Sequence, residues 1–216
     1  MAFSPPTPGW QATPGWQDRA IDRTVADTRA RDVDRMERCI AAARELANET
    51  SSASFTVAQI AARAEVSLKS FYRCFPGKDE LLLALLEDDS HIGARVLAAR
   101  VGIQENPLAA LHACVTELFA FLSLPGALGY AGVLVREHRR LSEQYPLELR
   151  VALAPLVELI SVHISAATAT TDALRDAETM FRILLQGIDD VIVGRSRDAA
   201  ELGEYLWQFC WNGLEG

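Results

Sequence analysis

Lys69, Ser70, Tyr72 and Arg73 place four hydrogen-bond donors within five residues of one another. Their spacing puts them on the outer side of a short helix whose inner side is Leu68, Phe71 and Phe75. Donors and cations on one narrow face suit a polyanion and the acceptor edges of bases, rather than bond-breaking chemistry. Lys78 follows at the start of another helix, where ammonium and backbone amides favour the same anion. The rest of the chain offers no comparable catalytic set. His91, His112, His138 and His163 stand in no metal-binding spacing, and no nucleophile elbow or phosphate loop occurs. Asp88-Asp89 and Asp189-Asp190 are adjacent pairs, which diverge by about 100° on a helix and cannot easily share a site. Neither a catalytic nor a metal site is expected, and no cofactor.

Positioning such a face takes a frame, and Thr56 to Leu81 supplies one. Thr56 precedes the apolar positions Val57, Ile60 and Ala61 where an N-cap belongs. Val66 fills a turn, and Ser67 caps the second short helix. Two short helices joined by a tight turn form the helix-turn-helix arrangement that enters a major groove. A bracing helix is expected from about Arg31–Asp34 to Asn48, with Met36, Ile40, Ala43 and Ala47 on one stripe. Phe55 then plugs the core ahead of the Thr56 cap.

Charge divides the same way. The 216 residues carry a net charge of −8, yet Arg29 to Lys78 holds nine basic residues against six acids. Asp79 to the C-terminus holds ten against twenty. A mildly basic head on an acidic body suits a protein that meets nucleic acid at one end. Four scattered cysteines argue against disulfides and zinc fingers and fit a reducing cytoplasm. The start of the chain has no signal-peptide pattern. Residues 1–17 repeat Thr-Pro-Gly-Trp-Gln, which reads as a flexible tail or as one whose Trp10 and Trp16 dock on the body or a partner.

Beyond Lys78 the pattern is helical throughout. Leu118 to Val135 runs eighteen residues without a charge, but Pro125-Gly126 breaks it into two buried helix segments rather than a membrane span. From Asn106 to Val135 the charge is Glu117 alone, so these helices are buried all round or line a cavity. Leu111, Phe119, Phe121, Leu122 and Tyr130 would form the apolar wall, with Arg136, His138 and His163 as polar anchors for a ligand. A helix from Pro146 to Ile164 is interrupted by Pro155, and residues 166–171 form a loop or frayed end. Two final amphipathic helices, spanning about 172–213, could pack within the chain or meet a second copy as a four-helix interface.

Thr56, Ile60-Ala61, Ala64, Val66-Ser67, Phe71-Tyr72, Phe75, Lys78 and Leu81 together resemble the DNA-binding segment of TetR-family regulators. The organisation of residues 31–213 is similar as well; the residue-level match is confined to the head. The resemblance implies an all-α protein with a flexible extension over 1–30, a three-helix DNA-binding head over 31–78, and a helical ligand-binding and dimerisation domain over 79–216. It implies a homodimeric, usually repressing, regulator of a pseudo-palindromic operator, released by a small molecule that the wall residues suggest is largely apolar. Thr56, Tyr72 and Lys78 match positions that contact phosphates. Ser67 and Leu68 open the recognition helix, and Lys69, Ser70 and Arg73 are placed for base edges or nearby backbone. The alternative is a DNA-binding regulator whose body serves dimerisation or protein partners without a ligand. Three residues depart from the family pattern: Glu65 and Lys69 stand where glycine is usual, and Cys74 where tyrosine or histidine is common.

Overall fold

The computed structural model describes residues 16–104 and 106–215. The described chain folds as helices in the order α1 (Trp16–Thr50), α2 (Val57–Arg63), α3 (Leu68–Cys74), α4 (Lys78–Val101), α5 (Pro107–Leu122), α6 (Ala127–Gln144), α7 (Pro146–Ala167), α8 (Ala173–Ile192) and α9 (Ala199–Glu215). No strand occurs among the described residues.

Helix α1 is longer than the sequence pattern suggested, beginning at Trp16 rather than near Arg31–Asp34. The stretch ahead of Arg31 lacks glycine and proline and mixes Asp with Arg, so nothing in it breaks a helix even though little of it is apolar. Expectations for residues 1–15, and so for most of the Thr-Pro-Gly-Trp-Gln repeat, lie outside the described residues. The C-terminal half of α1 is the brace: Cys39, Ala42, Ala43, Leu46 and Ala47 are all buried. They pack with Phe55, Ile60, Phe71 and Phe75 of the head and with Leu81, Leu82, Leu85 and Leu86 of α4. The head core therefore continues into α4 and reaches Leu141, Leu149 and Ala152 of the body.

A second core joins α5, α7, α8 and α9 around Leu111, Cys114, Phe119, Ile160, Ile164, Met180 and Leu184. The uncharged run is two helices bent by 113° from each other. Gly126 makes the bend possible at φ 79°, a left-handed conformation that glycine adopts without steric cost. Helix α7 differs from the expected interruption, continuing through Pro155 to Ala167. The carbonyl that loses its amide partner there belongs to Val151, which is 64 % exposed and so lies where water can serve it. By length and composition α7 could cross a membrane, yet it is packed between α4, α5 and α8. In α9 the inner face is Gly203, Trp207 and Cys210, whereas Tyr205 (63 %) and Phe209 (58 %) face outward.

Candidate functional site

The α2–α3 unit is built by local hydrogen bonds. Thr56 Oγ1 accepts from the Gln59 amide at 3.2 Å, and Gln59 Oε1 accepts from the Thr56 amide at 2.7 Å, a complete capping box. Ser67 Oγ accepts from the Ser70 amide at 3.1 Å and pairs with the Ser70 hydroxyl at 2.9 Å. Between the two helices Glu65 takes φ 55°, the left-handed conformation glycine usually supplies. Arg38 of α1 holds this turn, its Nη1 donating to the Ala64 carbonyl at 3.0 Å.

Helix α3 rests on Phe71, fully buried, with Tyr72 edge-on to it at 5.5 Å. Leu68 does not join that inner face. It is 48 % exposed, because as the first residue of α3 it precedes the turn that Phe71 anchors. Leu68, Lys69, Tyr72 and Arg73 thus stand together on the exposed side, with Ser67 at the rim and Ser70 half-buried beneath. Arg73 donates from Nη2 to Asp32 of α1 at 2.9 Å.

Lys78 turns inward. Its Nζ donates to the Ala53 carbonyl and lies 4.8 Å from the centre of the Phe55 ring. Burial lowers the pKa of its ammonium from the usual lysine value. It lines a polar recess of about 430 Å³ between head and body with Ser52, Ser54, Asp79, Arg136 and Arg140.

The residues expected to line a ligand cavity divide. Leu111, Phe119 and Leu122 are buried in the second core, and Phe119 fills the space that Gly187 and Gly203 leave open. Tyr130 donates its hydroxyl to Asp89, whose carboxylate also accepts from Arg44 Nε at 2.9 Å. Arg136 is exposed and donates to the Ser51 carbonyl at 2.8 Å. Apart from His138, none of the expected set borders a cleft of about 670 Å³ between the end of α6, α7 and α8. Leu149, Leu153, Val157, Phe181 and Leu185 line it, and Arg150, Glu178 and Arg182 edge it. His163, on α7, is half-buried and does not line it. Burial lowers the pKa of both His138 and His163, and Arg139 lowers that of His138 further. The expected wall followed the uncharged run of α5 and α6, whereas the walls of this cleft stand on α7 and α8, and only the fold brings Leu149, Leu153 and Val157 to Phe181 and Leu185. Among the described residues, no group of three His, Cys, Asp or Glu side chains could hold a metal ion.

Comparison with known proteins bears on the fold. Residues 40–85 match the model for bacterial regulatory proteins of the tetR family. A search of curated proteins finds no match. Among solved structures, a TetR transcriptional regulator from Rhodococcus sp. RHA1 is 19 % identical and aligns over 86 % of this chain and 99 % of its own with a TM-score of 0.64. FadR of Thermus thermophilus, a TetR-family repressor in complex with lauroyl-CoA, is 20 % identical over 84 % of this chain and 95 % of its own, with a TM-score of 0.64. RolR in complex with resorcinol is 17 % identical over 83 % and 89 %, again with a TM-score of 0.64. The chain carries a tetR-type head and has the fold of TetR transcriptional regulators.

Proposed function

We propose that this TetR-fold chain is a homodimeric transcription repressor that binds a pseudo-palindromic operator and is released from it by a largely apolar small molecule. The observation that carries the DNA half is the outward face of α3, where Leu68, Lys69, Tyr72 and Arg73 are exposed beside one another on a capped, core-anchored helix. In this reading residues 31–78 form the DNA-binding head and residues 79–216 the body. Thr56 and Tyr72 touch phosphates; Lys69, Ser70 and Arg73 reach base edges, with Ser67 and Leu68 at the entry to the groove. Lys78 reaches phosphate by exchanging its Ala53 carbonyl for the anion. Two heads in successive major grooves require a dimer, and the exposed Tyr205 and Phe209 of α9 with Val193 after α8 provide apolar surface for one.

Selection of duplexes from a random library, followed by affinity measurements, tests the DNA half. Lys69→Ala should weaken operator binding with altered sequence preference, and Tyr72→Ala should weaken binding to all duplexes alike. Unchanged affinity in both variants would sink the assignment. The effector half rests on the α6–α7–α8 cleft, whose volume fits a drug-sized molecule. The ligands named for the similar structures, lauroyl-CoA and resorcinol, set an acyl chain against a small aromatic ring as the first compounds for a thermal-shift screen. The close packing of Leu111, Phe119 and Leu122 favours a second reading, in which the body serves dimerisation or a protein partner without a ligand. Failure of every apolar compound to raise the melting temperature supports that one.

A further inference from the structure

Arg73 is held from outside its own helix. Its Nη2 donates to Asp32 Oδ1 at 2.9 Å, and the same oxygen accepts from Arg35 one turn along α1. The Arg73 side chain remains 56 % exposed and that of Asp32 29 %. An ion pair this open contributes little to stability. What it fixes is direction. A guanidinium presents five N–H groups in a rigid planar fork, and the bond to Asp32 accounts for one of them. The remaining donors stand on the exposed surface of α3 that carries Lys69 one turn earlier and Tyr72 next to it.

The carboxylate also acts on DNA as a charge. A negative group beside the interface repels phosphates and offsets part of the attraction Arg73 has for them. An arginine partly neutralised and aimed in this way is a poor neutraliser of backbone and a good reader of guanine, whose O6 and N7 accept a bidentate pair. We infer that Asp32 is a positioning residue that makes Arg73 a base reader, lowering affinity for DNA in general while raising discrimination at one guanine. This rests on the proposed DNA-binding function.

The test uses the full chain and duplexes enriched from a random library. Wild type, Asp32→Ala, Asp32→Asn, Arg73→Ala and the Asp32→Ala/Arg73→Ala double variant are compared on the enriched duplex, its single-base variants and an unselected duplex, at several salt concentrations. Wild type should lose on the order of ten- to a hundredfold in affinity when the guanine is replaced. Asp32→Ala should reduce that loss to a few-fold or less, bind unselected DNA more tightly, and steepen the salt dependence by about one counterion. Asp32→Asn should likewise bind unselected DNA more tightly but keep part of the guanine preference, because its amide oxygen still accepts from Arg73. Arg73→Ala should abolish the same preference, and the double variant should add nothing to it. Full guanine preference in Asp32→Ala overturns the inference, as does a preference that survives Arg73→Ala. Enrichment of no sequence by wild type overturns the DNA-binding reading itself, which separates the two failures.

Discussion

Glu65 holds a left-handed backbone at φ 55° in the turn on which α3 depends. The clash of its Cβ with the following carbonyl makes that conformation costly. Glu65→Gly should therefore raise unfolding free energy by about 1 kcal/mol in chemical denaturation, with affinity for an operator unchanged. His138 and His163 carry a different signature, since burial lowers the pKa of both. The unfolded chain thus binds protons that the folded one refuses. Stability is complete above the unfolded histidine pKa of about 6.5 and is lost as pH falls from there through the folded values. Melting temperatures measured from pH 7.5 to 5 should fall less in His138→Gln than in wild type. What sequence could say at this scale depended on separation along the chain. The Thr56 and Ser67 caps were legible because cap and amide lie three residues apart. The inward turn of Lys78 to Ala53, and the bond from Arg73 to Asp32, join residues that only the fold brings together.

Helices α5, α8 and α9 meet at Phe119, and the meeting requires small residues. A Cβ on Gly203 would lie 2.9 Å from Phe119 Cβ and 3.0 Å from its Cγ, atoms close to the backbone that cannot swing aside. Gly203→Ala gains about 1 kcal/mol of helix propensity and forfeits about 1–3 kcal/mol to overpacking. A net destabilisation by thermal or urea unfolding is the expected result. A Cβ on Gly187 would lie 2.4 Å from Leu206 Cδ1 and 3.0 Å from Phe119 Cζ, both far ends of side chains rather than atoms next to the backbone, so Gly187→Ala should cost less. That this closeness leaves Leu111, Phe119 and Leu122 in solid core was not legible in the sequence, because a buried uncharged helix looks alike whether it faces side chains or a cavity. The early start of α1 had the opposite cause, since a mixed-charge helix without an apolar stripe leaves little periodic signal.

Across the whole molecule, α6 is the element that touches both ends. Tyr130 donates to Asp89 of α4, and Arg44 of α1 binds Asp88 and Asp89. Burial raises the pKa of the Asp89 carboxyl, even though Tyr130 and Arg44 both favour its ionised form. Burial acts against the charge on the Arg44 guanidinium, but Asp89 and Asp88 more than offset it and its pKa is raised. On the same helix Gly129, beside Tyr130, and Arg136, nearly two turns on, lie against Ser51, just after α1. Arg140 then grips Asp79 at the start of α4, at 2.6 and 3.1 Å. The next contacts of α6, through His138 and Ser142, are with the α6–α7–α8 cleft. A ligand there that displaces α6 must move Ser51 and Asp79 with it, and these flank the α2–α3 unit along the chain. Arg140→Ala removes the firmest of these grips without touching α3 or the apolar wall of the cleft. It should leave affinity for an operator, and for a compound found in the thermal-shift screen, within about threefold of wild type. The factor by which that compound weakens operator binding, for a coupling of this kind about 5- to 150-fold, should fall towards one. Because coupling is reciprocal, operator DNA should weaken binding of the compound by the same reduced factor. Fluorescence titrations of each ligand in the presence and absence of the other measure both. An undiminished factor in Arg140→Ala would place the transmission in the Tyr130–Asp89–Arg44 cluster, where Tyr130→Phe is the corresponding test.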